Sequence, residues 1–239
     1  MSLDSAAGRW YKGNRIGEGI AMRFQPVRNA EDLVRRVEEL GFLPFTRCGV
    51  EGLSVEELTP PEYWFIKNVD GPWEWRQQAI DRFAYGKFFA RNAGLVSHKW
   101  FPALCNYRRG GQDFDARYED GLIQEGAKRI YSLIERQPRS TLELRSLTPG
   151  TNYAVERAVA SLMMSTDIII VGFDAKIDSK GRPYGWGISR FGAADAALPH
   201  LTRAAFDEEP EDSFRRMRAH ILSLCPEAEP KAVEKLLAS

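Results

Sequence analysis

Between Gly121 and Phe191 the hydrophobic pattern runs helix, helix, helix, strand, strand, and that order limits the folds open to this 239-residue chain more than any other feature. In GLIQEGAKRIYSLIERQ, Ala127, Ile130, Tyr131 and Ile134 fall at i, i+3, i+4 and i+7, which predicts a helix buried along one stripe. Ser140 stands three residues before Glu143 in STLELRSLTPG, the spacing of a capping box. It predicts a short second helix with Leu144 and Leu147 facing inward, stopped by Pro149 and Gly150. In TNYAVERAVASLMMS, Val155, Ala158, Val159 and Leu162 share a stripe and leave Asn152, Tyr153, Glu156 and Arg157 on the other side. Two β-rich runs follow, DIIIVGFDAKI and YGWGISRF, with Gly181 and Pro183 as turn residues between them. They predict a hairpin with Lys176, Lys180 and Arg182 at or near its tip.

Three short helices and a hairpin are the order of a winged helix-turn-helix, in which the third helix enters the major groove and the wing touches the backbone. The expectation is an α+β fold: a winged helix-turn-helix core, an N-terminal mixed α/β region and a helical C-terminal tail. Asn152, Tyr153 and Arg157 would then face bases, and Lys176, Lys180 and Arg182 would neutralise phosphates of duplex DNA. Glu156 opposes this, because a carboxylate in the groove repels phosphate. The same module can also serve as a non-enzymatic protein-interaction module.

Charge is consistent with such a division. The 33 Lys+Arg are offset by 33 Asp+Glu, which excludes a histone-like coat of positive charge. Residues 121–191 nevertheless carry 10 basic against 7 acidic side chains, residues 192–239 carry 6 against 9, and residues 1–120 carry 17 of each. These stretches are the expected three parts of the chain.

In the first part, Asn29 can cap AEDLVRRVEELGF, with Leu33, Val37 and Leu40 buried and Gly41 ending the helix. Beyond it lie Trp64, Trp73, Trp75, Tyr85, Trp100 and Tyr107 among Lys67, Lys87, Lys99, Arg108 and Arg109. This stretch reads as short strands with one helix near WFPALCNYRR. Aromatic rings interleaved with cations suit stacking on an exposed base, so Trp73, Trp75, Tyr85, Lys87 and Tyr107 are candidates for a stacking pocket. Aromatics in strands are also the commonest core material. In the tail, FDEEPEDS reads as a solvated cap, followed by helices over 213–225 and 230–238 that could pack on the winged helix.

Other chemistries find little support. GEGIAM, at residues 17–22, lacks the strand and helix of a dinucleotide site and reads as a loop. No Walker A or GxSxG string occurs, and His98, His200 and His220 have no metal-ligand spacing, so neither a cofactor nor a metal is expected. Cys48, Cys105 and Cys225 are far apart and read as buried thiols of a reducing compartment. Tyr118–Asp120 offers two carboxylates that could hold magnesium or, preferably, cap the next helix. No apolar run reaches about 20 residues and no signal pattern opens the chain, so the default is a cytoplasmic protein without membrane contact. The oligomeric state is not legible.

The phrases GPWEW, AYGKFF, AGLVSHKWFP, NYRR, YEDGL and AKRIYSLIE, followed by the winged-helix pattern, resemble the AlkZ-related winged-helix proteins. The resemblance covers roughly residues 29–191. It implies a bacterial cytoplasmic DNA-binding protein linked to DNA repair, and, as an alternative, a DNA glycosylase acting on alkylated or crosslinked bases. AlkZ-type enzymes position water with a Gln, any residue, then Gln or Asp. The nearest string here is QQAID, where Gln78 and Asp81 are separated by two residues rather than one. Glu74, Gln77, Gln78 and Asp81 are the polar candidates for such chemistry.

Overall fold

A computed structural model describes residues 24–64, 69–182, 185 and 187–238. The 17–22 loop, Lys67 and Pro183 lie outside the described residues. Helix α1 (Ala30–Leu40) begins as its sequence predicts, with the Asn29 side chain accepting the Asp32 N–H at 2.8 Å. It ends at Gly41, whose φ of 80° suits glycine and where a Cβ would lie 2.5 Å from the Trp100 ring. Strand β1 (Phe42–Pro44), helix α2 (Val55–Leu58) and a 3-10 turn (Pro61–Tyr63) follow.

The GPWEWRQQ stretch is not a strand. It forms helix α3 (Pro72–Gln78), with Pro72 at the first helical position and the Glu74 carboxylate accepting the Gly71 N–H at 2.9 Å. Proline there lacks only a donor the helix would leave unpaired, and a glutamate in the first turn complements the dipole, so these signals override the β-bias of the tryptophans. Strands β2 (Ala84–Phe89) and β3 (Asn92–Val96) then complete an antiparallel sheet in the order β1-β3-β2.

Helices α4 (Phe101–Arg109) and α5 (Phe114–Glu119) lead to α6 (Glu125–Arg136). The Tyr118–Asp120 run does not cap α6, since it closes α5, and Gly121 (φ 74°) reverses the chain four residues before α6 begins. Ala127, Ile130, Tyr131 and Ile134 are buried as expected. Strand β4 (Arg139–Ser140) and helix α7 (Thr141–Leu147) come next, joined by the Ser140–Glu143 capping box. Leu144 is fully buried, but Leu147 is 49% exposed, because α7 ends there and turns its last residue off the buried face. Helix α8 (Asn152–Met164), capped by Thr151, buries Val155, Val159 and Leu162. Strands β5 (Ile168–Asp174) and β6 (Ile188–Ala193) pair antiparallel from Ile168↔Ala193 to Asp174↔Ile188. Strand β4 pairs with the other edge of β6, giving a second sheet in the order β4-β6-β5.

The tail comprises α9 (Ala194–Ala197), α10 (Pro199–Arg203), a 3-10 turn (Ala204–Phe206), α11 (Pro210–Leu224) and α12 (Pro230–Ala238). Instead of packing on the 121–191 stretch, α11 lies against α4, with the Tyr107 and Phe214 rings 4.8 Å apart. Asn106 donates to Glu208 O at 2.7 Å and to Ser213 Oγ at 3.0 Å. The reason lies in α4, whose outer face offers an aromatic ring and a buried amide in need of acceptors. The acidic run is partly committed, since Glu208 also accepts from Arg216 at 2.6 Å. His220 stacks on Trp100 at 4.4 Å, with Nε2 3.1 Å from Leu40 O.

One hydrophobic core runs through all of these elements except β4. At the point where α8 turns into β5 it encloses a charge cluster. The Asp167 side chain, 1% exposed, pairs with Arg117 of α5 and stands 3.6 Å from Arg109 of α4. Arg109 also pairs with Asp195 of α9 at 2.9 Å and donates to Thr166 O at 2.8 Å. Thr166 sits at φ 63°, a conformation costly for a β-branched residue, and the Arg109 bond to its carbonyl holds it there.

Replacing Asp167 with Asn should therefore cost about 3–5 kcal/mol in urea unfolding, since two buried guanidinium groups lose their shared counter-ion. The tail contact gives a pH effect. Burial holds His220 below the ordinary histidine pKa, so below about pH 6.5 the unfolded chain takes up a proton that the folded chain refuses. Stability should fall as pH drops through that range and level off once the folded imidazole titrates. His220→Phe, which keeps the stack without the proton, should flatten the slope.

Candidate nucleic-acid interface

The α8 stripe that packs inward leaves Asn152, Tyr153 and Arg157 outside, all exposed, with Tyr153 71% exposed. Glu156, the carboxylate that would repel phosphate, is in contact with the Arg145 guanidinium of α7. That ion pair offsets its charge beside Arg157.

A cleft of about 460 Å³ runs along this face of α8. One wall is the start of α6, with Leu122 and Gln124; the other is Tyr153, Arg157 and Ser161; Arg117 and Asp167 also line it. Arg91 reaches it from the two-residue turn between β2 and β3, where Ala90 (φ 47°) and Arg91 (φ 67°) are both left-handed. Such a turn suits the twist of a hairpin, but it normally takes Asn or Gly. Three arginines from three elements thus surround one cleft beside α8.

At the β5–β6 hairpin Lys176, Lys180 and Arg182 are exposed. Asp178 shapes this turn, accepting the Lys180 N–H at 2.8 Å and the Arg182 N–H at 2.9 Å. These backbone bonds, that from Arg182 foremost, hold its carboxyl below the usual range. Arg182 also pairs with Asp178 at 3.0 Å, which leaves Lys176 and Lys180 without an ion-pair partner among the described residues.

The structure divides the candidate stacking residues. Trp73 and Tyr85 come together around Phe45, at 4.5 and 6.3 Å between centroids. Trp75 instead faces Tyr63 at 5.4 Å, and Tyr107 belongs to the contact with the tail. Lys87 lines a separate cleft of about 230 Å³ with Thr141, Glu156 and Phe191. The polar candidates are equally dispersed. Glu74 caps α3, Gln77 donates to Trp73 O at 3.2 Å, and Gln78 donates to Asp70 at 2.8 Å. Asp81 lies past the end of α3, in a cleft of about 400 Å³ with Glu38, Ser97 and His98. No cluster suited to a metal ion occurs among the described residues.

Arg91 and Arg145 escape sequence reading. The cue for Arg91 is two residues, Ala-Arg, between two β-patterned runs; nothing local marks Arg145 as the partner of Glu156.

With two small antiparallel sheets, short helices around them and a polar helix face beside an arginine-lined cleft, the chain is a mixed α+β protein. The AlkZ-related family model matches residues 27–238, and the chain belongs to that family. Membership points to a role related to DNA repair. No curated protein matches the chain, and neither does any solved structure. Among the described residues no helix is long and apolar enough to cross a membrane.

The thiols provide a check on the packing of the core. Cys105 and Cys225 are buried as expected, whereas Cys48 is only partly buried; burial still pushes Cys48 and Cys105 up to about 11. At pH 8 Ellman's reagent should react slowly with the native protein and with three thiols after denaturation.

Proposed function

We propose that residues 121–191 form a winged helix-turn-helix and that this cytoplasmic protein binds duplex DNA through α8 and the β5–β6 hairpin. The observation that carries the reading is the order of α6, β4, α7, α8, β5 and β6, with β4 on the free edge of β6 and the Asn152–Tyr153–Arg157 face left uncovered. Asn152, Tyr153 and Arg157 meet base edges in the major groove, Lys176 and Lys180 meet phosphates, and Arg182 joins them when it leaves Asp178. Arg91 extends the positive surface across the cleft. The Arg145–Glu156 pair supports the reading because it offsets the one carboxylate on this face.

Family membership also favours DNA over a protein partner. The tail that would have to cover α8 in an interaction module packs chiefly on α4 instead.

Few phosphates are engaged, so affinity should be modest and depend on salt in proportion to the contacts made. In gel-shift titrations across a salt series, Lys180→Ala should weaken binding and reduce the log–log slope by about 1. Arg145→Ala, which strips Glu156 of its partner, should also weaken binding but without reducing the slope. Absence of binding to any duplex at low salt overturns the proposal.

A further inference from the structure

Arg76, on α3, is a cation whose surroundings do not answer its charge. It is 6% exposed. Its guanidinium carbon lies 4.5 Å from the ring centroid of Phe173, 5.0 Å from Trp73, 5.3 Å from Tyr85 and 6.0 Å from Phe45. Nε and Nη1 are enclosed with no hydrogen-bond acceptor among the described residues. Glu74, two residues away on the same helix, turns its carboxylate to the Gly71 N–H instead.

Ring faces attract a cation, but they do not take the place of the oxygen acceptors that a guanidinium seeks in its own plane. A buried donor without an acceptor keeps its full desolvation cost, and a buried charge without a counter-ion keeps more. Burial accordingly pulls the Arg76 pKa below its ordinary value. What the cage lacks is an anion with oxygen acceptors.

We propose that the Arg76 cage is a binding site for an oxyanion of the phosphate class, either free phosphate or the phosphate of a nucleotide strand. The guanidinium fork matches the oxygens of such a group, and the rings exclude water around the pair. Phosphate is favoured over a carboxylate by position. Phe173 lies on β5, three residues before the exposed Lys176, and Asp174 between them is already paired with Arg190 at 3.0 Å. A doubly charged anion there draws on a positive hairpin as well as on Arg76. Because Nε and Nη1 are enclosed, seating the anion requires a ring to swing aside. Phe173 is the one ring of the four contributed by the hairpin, and it is only partly buried.

The proposal is independent of the DNA reading, since inorganic phosphate alone tests it. Thermal unfolding of the full chain is followed in phosphate and, at matched ionic strength, in acetate or chloride. Phosphate should raise the midpoint saturably, by about 2–4 °C, where acetate and chloride do not. Arg76→Met should abolish that response and, without phosphate, unfold at or above the wild-type temperature, because it removes an uncompensated buried charge. A wild-type midpoint indifferent to phosphate, together with a destabilised Arg76→Met, would make the cage purely structural and overturn the proposal. A phosphate response that survives in Arg76→Met overturns it too, by placing the anion elsewhere. If Arg76→Met does not fold, Arg76→Lys decides, since it keeps the charge and loses the fork: the response should fall at least twofold, and an undiminished one overturns the proposal. Phosphorus NMR with a short oligonucleotide as competitor separates the two sources, displacement of phosphate identifying a strand and retention identifying the free ion. Failure of duplex binding with the phosphate response intact would sink the DNA reading alone.

Discussion

Asp167 and its two arginines hold the parts of this molecule in register. The carboxylate sits where α8 reverses into β5, and its partners come from α4 and α5, so α8 and the hairpin are tied to the N-terminal region by a buried charge cluster. Burial pushes the Asp167 carboxyl up, and Arg117 and Arg109 oppose that shift without reversing it. Such a cluster contributes little net stability over a well-packed apolar one, but it is intolerant of losing a member. It also supports the left-handed Thr166, because the guanidinium that flanks Asp167 bonds the Thr166 carbonyl as well. Strain and charge are thus held by the same side chains, and the direction in which β5 leaves α8 depends on them.

The parts that could be read from sequence are those governed by local rules. The helical period located α6 and α8, the Ser140–Glu143 pair located α7, and Asn29 with Gly41 bounded α1. The exposed face of α8 followed from its buried stripe. Misreading began where composition competed with position. Signals within GPWEW point different ways, and the decisive ones are Pro72 and Glu74 at a helix start, not the two tryptophans. The Tyr118–Asp120 run looked like a helix cap because helices follow acids, but the left-handed Gly121 assigns it to the helix before. Arg76 is beyond local reading altogether, and for Arg91 the local pattern marks only a turn. One is defined by rings from residues 45, 73, 85 and 173, the other by a cleft whose far wall is α8.

Equal numbers of positive and negative side chains acquire a meaning from the pairing. On the 121–191 stretch most acids are answered by a nearby arginine: Glu143 by Arg139, Glu156 by Arg145, Asp174 by Arg190, Asp178 by Arg182. The local excess therefore rests on Arg136, Arg157, Lys176 and Lys180, which have no such partner among the described residues, and three of these four lie on α8 and the hairpin. A surface of this kind is selective by placement rather than by total charge, since paired charges contribute little field beyond a Debye length and unpaired ones set the local potential.

Strand β2 determines how that placement is kept. It packs against both α8 and β5, so the first sheet and the hairpin share a wall instead of meeting through a linker. The turn that leaves β2 carries Ala90 and Arg91 in left-handed geometry, at a cost that Asn-Gly would avoid. That cost is borne where the turn meets the cleft beside α8. A long side chain at the second turn position places a cation on the lining of the cleft, which glycine there could not do. The packing of β2 against α8 and β5 is what holds the strained turn, since a loosely attached hairpin would relax and release its arginine from the cleft.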